Sequence, residues 1–301
     1  MARRNPLPPE LLAEPFRTRD AAALGVSPGR LRAHDLLAFA AGLRLVGDQE
    51  PSLLARCAAL CERLGPAAAI SDETAALLHR MPLPLRLERE IPVHLTVATG
   101  HRAPHAADIV GHQRALWPGD VDERFGFRVT TPLRTFCDVS ARLRVAEAVA
   151  MADMMVHAER GSVTPTQLAD AVGRHPGRRG KRTRERVLEL VDEHSESPKE
   201  SELRVLLIDA GFAKPECNID VFDSFGAFVA RVDLAYRSLR IAVEYEGDYH
   251  RDPEQFRRDL ARRRRLEAAG WTYIPVTQRD LTAPTQLLRD LRATIYRLNH
   301  A

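Results

Sequence analysis

The stretch Phe228–Arg251, FVARVDLAYRSLRIAVEYEGDYHR, restricts this chain more than any other. Phe228–Tyr236 and Arg240–Glu246 are each rich in Val, Ile, Tyr and Ala, the composition of a strand, and the polar connection at Arg237–Arg240 reads as the loop of a hairpin. If Tyr236 and Ile241 close a four-residue loop, Asp233 lies directly opposite Glu244. Side chains alternate along a strand, so Glu246 joins Glu244 on that face while Val243 and Tyr245 point the other way. Opposite Cβ atoms sit about 4.5–5.5 Å apart, which lets two carboxylates meet one ion. Asp233, Glu244 and Glu246 are therefore candidate metal ligands, and a hard oxygen set of this kind suits Mg²⁺ or Mn²⁺. Like charges this close repel, so the arrangement costs stability unless a cation neutralises it or one group takes up a proton. An open sheet face with solvated carboxylates would give the same pattern, and the hairpin alone does not choose between the two.

The flanking segments add to the argument. In order they are a helix beginning KESELRVLL, then NIDVFDSFG, RVDLAY and VEYEGDYH, then the helix FRRDLARRRRLEAAGW and the strand TYIPVT. This series resembles the Vsr-like domain of unknown function, a branch of the PD-(D/E)XK nuclease superfamily, over about Ser197 to Leu291. The resemblance implies a restriction-endonuclease-like αβββαβ core and Mg²⁺- or Mn²⁺-dependent hydrolysis of phosphodiester bonds in DNA. It assigns Asp233 and Glu244 as metal ligands, Glu200 as the first-helix acid and His250 as an auxiliary group. Glu246 stands where many superfamily members carry a lysine. With that departure, the proton-accepting role falls to Glu246 or His250, and a second ion enters if Glu246 binds metal directly.

The residues themselves give the same elements without the resemblance. Leu203, Leu206, Leu207 and Ala210 form a broad apolar side on a helix at Lys199–Ala210, with Glu200 at its N-terminus, where the helix dipole favours a carboxylate in any case. Pro253–Ala269 reads as a helix carrying Arg257, Arg258, Arg262, Arg263, Arg264 and Arg265, with Arg258 and Arg262 as candidate phosphate contacts. An ordinary solvated Arg-rich helix would look alike. Trp271–Val276 reads as a closing strand and Thr285–Leu298 as a terminal helix.

Ahead of this domain, residues 1–50 read as a small winged helix-turn-helix. Thr18 caps a first helix ending near Gly25, Ser27 and Pro28 open a second at Pro28–Leu37, and Phe39–Val46 with Gly42 forms the wing. This region resembles the N-terminal domain of AbiEi-type abortive-infection antitoxins, which implies DNA contact through Arg30, Arg32 and Arg44. Residues 51–172 form a mixed α/β middle region. Helices are expected at Leu53–Leu64 and after Ser71, strands at Ile91–Ala98, Asp108–Gln113 and Phe127–Thr130, and further helices after Thr131 and at Arg144–Glu159. Its TPLRT stretch is similar to the middle of AbiEi-like proteins. His94, His101, His105 and His112 fit no zincin or finger spacing and read as surface or sheet-face histidines. Asp138 pairs with Arg134 at i,i+4. Residues 173–198 read as a basic linker and helix, GRHPGRRGKRTR being flexible in composition and a strap for phosphates in function, and residues 199–301 as the nuclease-like domain.

The fold class expected is thus α+β multidomain. With Lys+Arg 44 against Asp+Glu 41, the net charge of +3 does not announce a nucleic-acid binder, so local clusters must carry that case. Cys57, Cys61, Cys137 and Cys217 show no CxxC pair and read as reduced core residues. The start, MARRNPLPPELL, lacks the apolar core of a signal peptide, and Leu36–Leu43 is far short of a membrane span, so a cytoplasmic protein with no membrane partner is expected. Duplex DNA is the expected partner, with RNA as another target class and with a homodimer or a toxin as further partners. The competing expectation is a DNA-binding transcriptional regulator or type IV antitoxin-like protein whose nuclease-fold domain is catalytically silent.

Overall fold

The computed structural model describes residues 5–12, 14–40, 42–47, 51–88, 92–106, 109–247 and 253–300, without the side chains of Phe39 and residues 253–256. The protein is α+β and divides into two compact units, 1–139 with 175–178, and 140–174 with 179–301.

The first unit begins with a three-stranded sheet in the order β1-β3-β2, made of β1 (Phe16–Arg17), β2 (Leu36–Ala40) and β3 (Leu43–Val46), with helix α1 (Thr18–Ala23) following β1. Gly42, at φ +74°, turns β2 into β3. The second helix expected at Pro28–Leu37 is not formed: a single 3-10 turn, Arg30–Arg32, precedes β2. Two features cut it short. Asp35 is held bidentately by Arg30, at 2.9 and 2.8 Å, and Leu36 is buried with Leu11, Phe16 and Leu31 once the chain is extended. Gly29 also weakens any helix through this stretch.

Helix α2 (Leu53–Leu64) follows, its start fixed by Ser52 Oγ, which accepts the Ala55 N–H at 3.2 Å. Cys57 and Leu60, one turn apart, are buried against the second sheet. That sheet has six strands in the order β6-β7-β5-β4-β9-β8. They are β4 (Ala68–Ile70), β5 (Val93–Ala98), β6 (His105–Ala106), β7 (Ile109–Arg114), β8 (Val121–Arg124) and β9 (Phe127–Thr130). Helices α3 (Asp72–Leu78) and α4 (Leu85–Glu88) lie between β4 and β5 in sequence, and α5 (Pro132–Val139) follows β9. The β5–β7 and β4–β9 pairs are parallel, and the others antiparallel.

In the second unit, α6 (Val145–Val156), α7 (Pro165–Arg174) and α8 (Lys181–Leu190) precede α9 (Pro198–Asp209). The linker expected at 173–184 is largely structured: Lys181–Arg184 already belongs to α8, and Arg184 is buried, donating to Ser140 Oγ at 3.2 Å and the Arg179 carbonyl at 2.8 Å. The break between units comes at Val139/Ser140 because α6 is tied to α9. Asp153 of α6 receives Arg204 Nη2, Ser201 Oγ at 2.6 Å and the Asp192 N–H at 2.8 Å, all away from water. A buried charge of this kind is tolerated only with such full pairing.

The remaining elements are β10 (Glu216–Phe222), β11 (Phe228–Tyr236), β12 (Ile241–Tyr245), α10 (Pro253–Ala268), β13 (Thr272–Val276), α11 (Gln278–Thr282) and α12 (Thr285–Asn299). The four strands form one sheet in sequence order, antiparallel up to β12 and parallel between β12 and β13. Tyr236 pairs with Ile241, Ala235 with Ala242 and Leu234 with Val243, the register that the hairpin predicts. Leu234, Tyr236, Ile241 and Val243 pack with Leu203 and Leu207 of α9 and Leu287 and Leu291 of α12. Ala235 and Ala242 pack with Leu266 of α10. Each such leucine contributes roughly 1.5–3 kcal/mol on burial, enough to hold a helix on either face.

Candidate functional site

Alternation from Ala235 and Ala242 carries Asp233 and Glu244 to the same side of the hairpin, toward α10. Asp233 Oδ2 accepts the Tyr245 N–H at 2.9 Å. Its carboxyl is nonetheless pushed up to about 7, first by burial and then by the charges of Glu200 and Glu244. Glu244 is 4% exposed. Burial raises its pKa as well, and Arg262 of α10 works against that shift by donating from Nη1 to Oε2. The other oxygen, Glu244 Oε1, is buried without a hydrogen-bond partner among the described residues.

Glu200 is buried at the first turn of α9. Its Oε2 accepts the Glu196 N–H at 2.9 Å and Asn218 Nδ2 at 2.7 Å, so the side chain is aimed at the sheet by two fixed donors. Glu246 accepts the Tyr273 hydroxyl at 3.2 Å. Asp233, Glu244 and Glu246 do not close round one point as expected. Among the described residues, the group of three ligand-type side chains with donor atoms within 4.8 Å of one another is Asp72, His94 and His112. Arg262 on Glu244 and Tyr273 on Glu246 account for the difference, since each draws one carboxylate to a partner of its own. His250 lies outside the described residues.

The expected DNA-contacting arginines divide in two. Arg32 and Arg258 are exposed. Arg30 is committed to Asp35 and to the Asn5 carbonyl, Arg44 donates to the carbonyls of Leu31 and Leu43, and Arg262 donates to Glu244 and the Arg231 carbonyl. Three of the five are therefore held by the protein, each donating to a carboxylate or carbonyl oxygen of its own chain.

A second cluster, in the first unit, was not foreseen as a site. Thr96 of β5 is in register with His112 of β7, so His94, Thr96, His112 and Arg114 share one face of the sheet. Asp72 faces them from the start of α3 and receives Arg114 bidentately, at 2.6 and 2.8 Å. Burial raises the Asp72 carboxyl, but Arg114 outweighs it and the pKa is lowered on balance. Arg134 joins Asp138 at 2.8 Å and Asp120 at 2.6 Å. Within each strand the polar residues fall two apart, His94 and Thr96 on β5 and His112 and Arg114 on β7, but nothing in the sequence joins the two pairs.

Comparison with known proteins names no activity. No family model matches the chain. Two curated relatives are the "Uncharacterized protein MT2308" of Mycobacterium tuberculosis (strain CDC 1551 / Oshkosh) and the "Uncharacterized protein Rv2248" of Mycobacterium tuberculosis (strain ATCC 25618 / H37Rv). Each is 32% identical over 235 residues, covering 77% of this chain and 83% of the relative. The chain belongs to the family of these mycobacterial proteins. No helix among the described residues is long and apolar enough to cross a membrane.

Proposed function

We propose that this protein is a metal-dependent DNA endonuclease whose site lies on the β11–β12 hairpin. The observation that carries this reading is the pairing of Asp233 and Glu244 on one side of the sheet, with Glu200 near enough to raise the Asp233 pKa. The αβββαβ order from α9 to β13 supports it, being the order of a restriction-endonuclease-like core. The donors fit a hard divalent cation: they are carboxylate oxygens, and Glu244 Oε1 is buried without a hydrogen-bond partner among the described residues. Asp233 and Glu244 would hold Mg²⁺ or Mn²⁺, leaving further positions to water and phosphate. When bound there, the ion supplies Lewis-acid stabilisation of the phosphate and a more acidic water.

The chain's own groups divide the remaining work. Glu200, held by the Glu196 N–H and Asn218 Nδ2, places a third carboxylate beside Asp233. Glu246, hydrogen-bonded to Tyr273 just past the end of β12, stands where the resemblance places a lysine and offers a carboxylate as general base. Arg262 neutralises Glu244 and offers a guanidinium to an incoming phosphate oxygen. The N-terminal β1–β3 sheet with α1, in the reading of a winged domain, recruits duplex DNA through the exposed Arg32.

A second reading, a DNA-binding regulator or antitoxin-like protein with a silent nuclease-like unit, is favoured by one observation. Arg262 already supplies the positive charge that Glu244 requires. The two are separated by incubating the protein with labelled duplex DNA, single-stranded DNA and RNA of one sequence, in Mg²⁺, Mn²⁺ or chelator. Metal-dependent cleavage of duplex alone supports the endonuclease. Tight duplex binding without cleavage in either metal supports the regulator, and cleavage of RNA alone moves the substrate class.

A further inference from the structure

The cluster in the first unit has the geometry of a metal site of a different chemical kind. His94 Nδ1 and His112 Nε2 are 3.2 Å apart, and His112 Nε2 is 3.4 Å from Asp72 Oδ2. A tetrahedral ion with metal–ligand bonds of about 2.0–2.1 Å has ligand–ligand edges of roughly 3.3–3.4 Å. The two rings are stacked, 22° between planes with centroids 5.4 Å apart.

The surrounding charge points the same way. Asp72, Glu73 and Asp138 are all buried, and Glu73 Oε2 lies 3.1 Å from His94 Nδ1. Arg114 and Arg134 bring two positive charges to these carboxylates and to Asp120. Four carboxylates face two guanidiniums, an excess of acidic groups with His175 at 3.8 Å from Asp138, and burial raises the Asp138 pKa there. A divalent ion restores the balance in a place with little water. Asp72 also holds a φ of +50°, a left-handed backbone for a buried non-glycine residue, and such conformations persist where the surroundings enforce them.

The arrangement is supported around its ligands. Gly111, beside His112, allows β7 to pass against Pro104: a Cβ there would meet the Pro104 carbonyl oxygen at 2.0 Å. Arg114 need not leave for Asp72 Oδ2 to ligate. Its Nη2 stays on Oδ1 at 2.8 Å, while Nη1 has Thr96 Oγ1 at 3.2 Å and Asp138 Oδ2 at 3.4 Å as other acceptors.

We propose that Asp72 Oδ2, His94 Nδ1 and His112 Nε2 bind one divalent transition-metal ion of the zinc class, with a fourth position open to water or an anion on the half-exposed side of His112 and Arg114. Two imidazoles and a carboxylate suit zinc-class ions, whereas the oxygen set at Asp233 and Glu244 suits Mg²⁺. The two sites therefore select different metals.

The test is titration of chelator-treated, desalted full-length protein with Co²⁺, read by its visible absorption, and with Zn²⁺, read by calorimetry. One ion per chain is expected, with the absorption intensity of four-coordinate cobalt and no sulfur charge-transfer band. His112→Ala, at a half-exposed position, and Asp72→Asn should each weaken binding roughly hundredfold, with circular dichroism and the melting profile in chelator confirming that they fold. Glu244→Gln should bind Co²⁺ unchanged. No binding of either metal to the wild type overturns the site. Binding that survives His112→Ala, or that is lost in Cys61→Ser or in Glu244→Gln, overturns it as well.

Discussion

Arg262 donates to Glu244 Oε2 from the middle of α10, and among the described residues it is the one guanidinium hydrogen-bonded to the carboxylates of the hairpin. A buried carboxylate with a single cationic partner is sensitive to loss of that partner. Arg262→Met is expected to cost about 3 kcal/mol in urea unfolding with chelator present, because Glu244 is left charged and unpaired or must take a proton. Millimolar Mg²⁺ or Mn²⁺ should recover a larger share of stability in this variant than in the wild type. Equal metal effects in the two proteins would show that no ion approaches Glu244.

Asp233 makes stability depend on pH in an unusual direction. Its pKa is raised from 3.8 to about 7 on folding, so between these values the folded state holds a proton that the unfolded state has lost. Stability contributed by that proton is complete at the acid end and is lost as pH rises through about 7, with a slope of up to ~1.4 kcal/mol per pH unit. In chelator, the urea midpoint of Asp233→Asn should fall less than that of the wild type between pH 5 and pH 6.5, both of which lie within the range set by the shift. Parallel pH profiles would place the raised pKa elsewhere.

The Asp153–Arg204 pair has another character, since both side chains are fully enclosed and bonded to each other. Asp153→Ala should cost about 3–5 kcal/mol by removing the partner of a buried guanidinium along with the acceptor for Ser201 and Asp192. Replacing both residues with Met and Leu should cost less than the single change. Denaturant unfolding of the two variants measures the difference.

For duplex binding, Arg32 and Arg30 are expected to behave differently despite lying in one turn. Arg32→Ala should weaken binding about equally across sequences and lower the slope of log K against log salt by about 1. Arg30→Ala should instead lower the melting temperature of the N-terminal sheet by releasing Asp35 and the Asn5 carbonyl. Filter binding over a salt series, with melting curves alongside, distinguishes a phosphate contact from an internal one.

The hairpin was legible because two independent local signals agree on it: alternation fixes the faces, and the four-residue connection fixes the register from Tyr236 and Ile241 outward. Helix α2 was equally plain at Leu53–Leu64, and the structure opens it with the Ser52 cap. The turn at Arg30–Arg32 was misread because the caps at Ser27 and Pro28 promise a helix locally, while burial of Leu36 and the Asp35–Arg30 pair depend on strands distant in sequence. The reach of Arg262 was hidden for a related reason. An arginine on an Arg-rich helix looks solvated until the helix is laid over a sheet that buries a carboxylate. His94 and His112 belong to parallel strands with a connection between them, so neither spacing nor any motif brings them together in sequence.

The most direct measurement is a time course of supercoiled plasmid with purified wild-type protein, Glu244→Gln and Asp233→Asn, each in Mg²⁺, in Mn²⁺ and in chelator. The account predicts nicked or linear product from the wild type in metal only, none from either variant, and duplex binding preserved in all three proteins. Cleavage by Glu244→Gln at the wild-type rate, or wild-type cleavage undiminished in chelator, would contradict it.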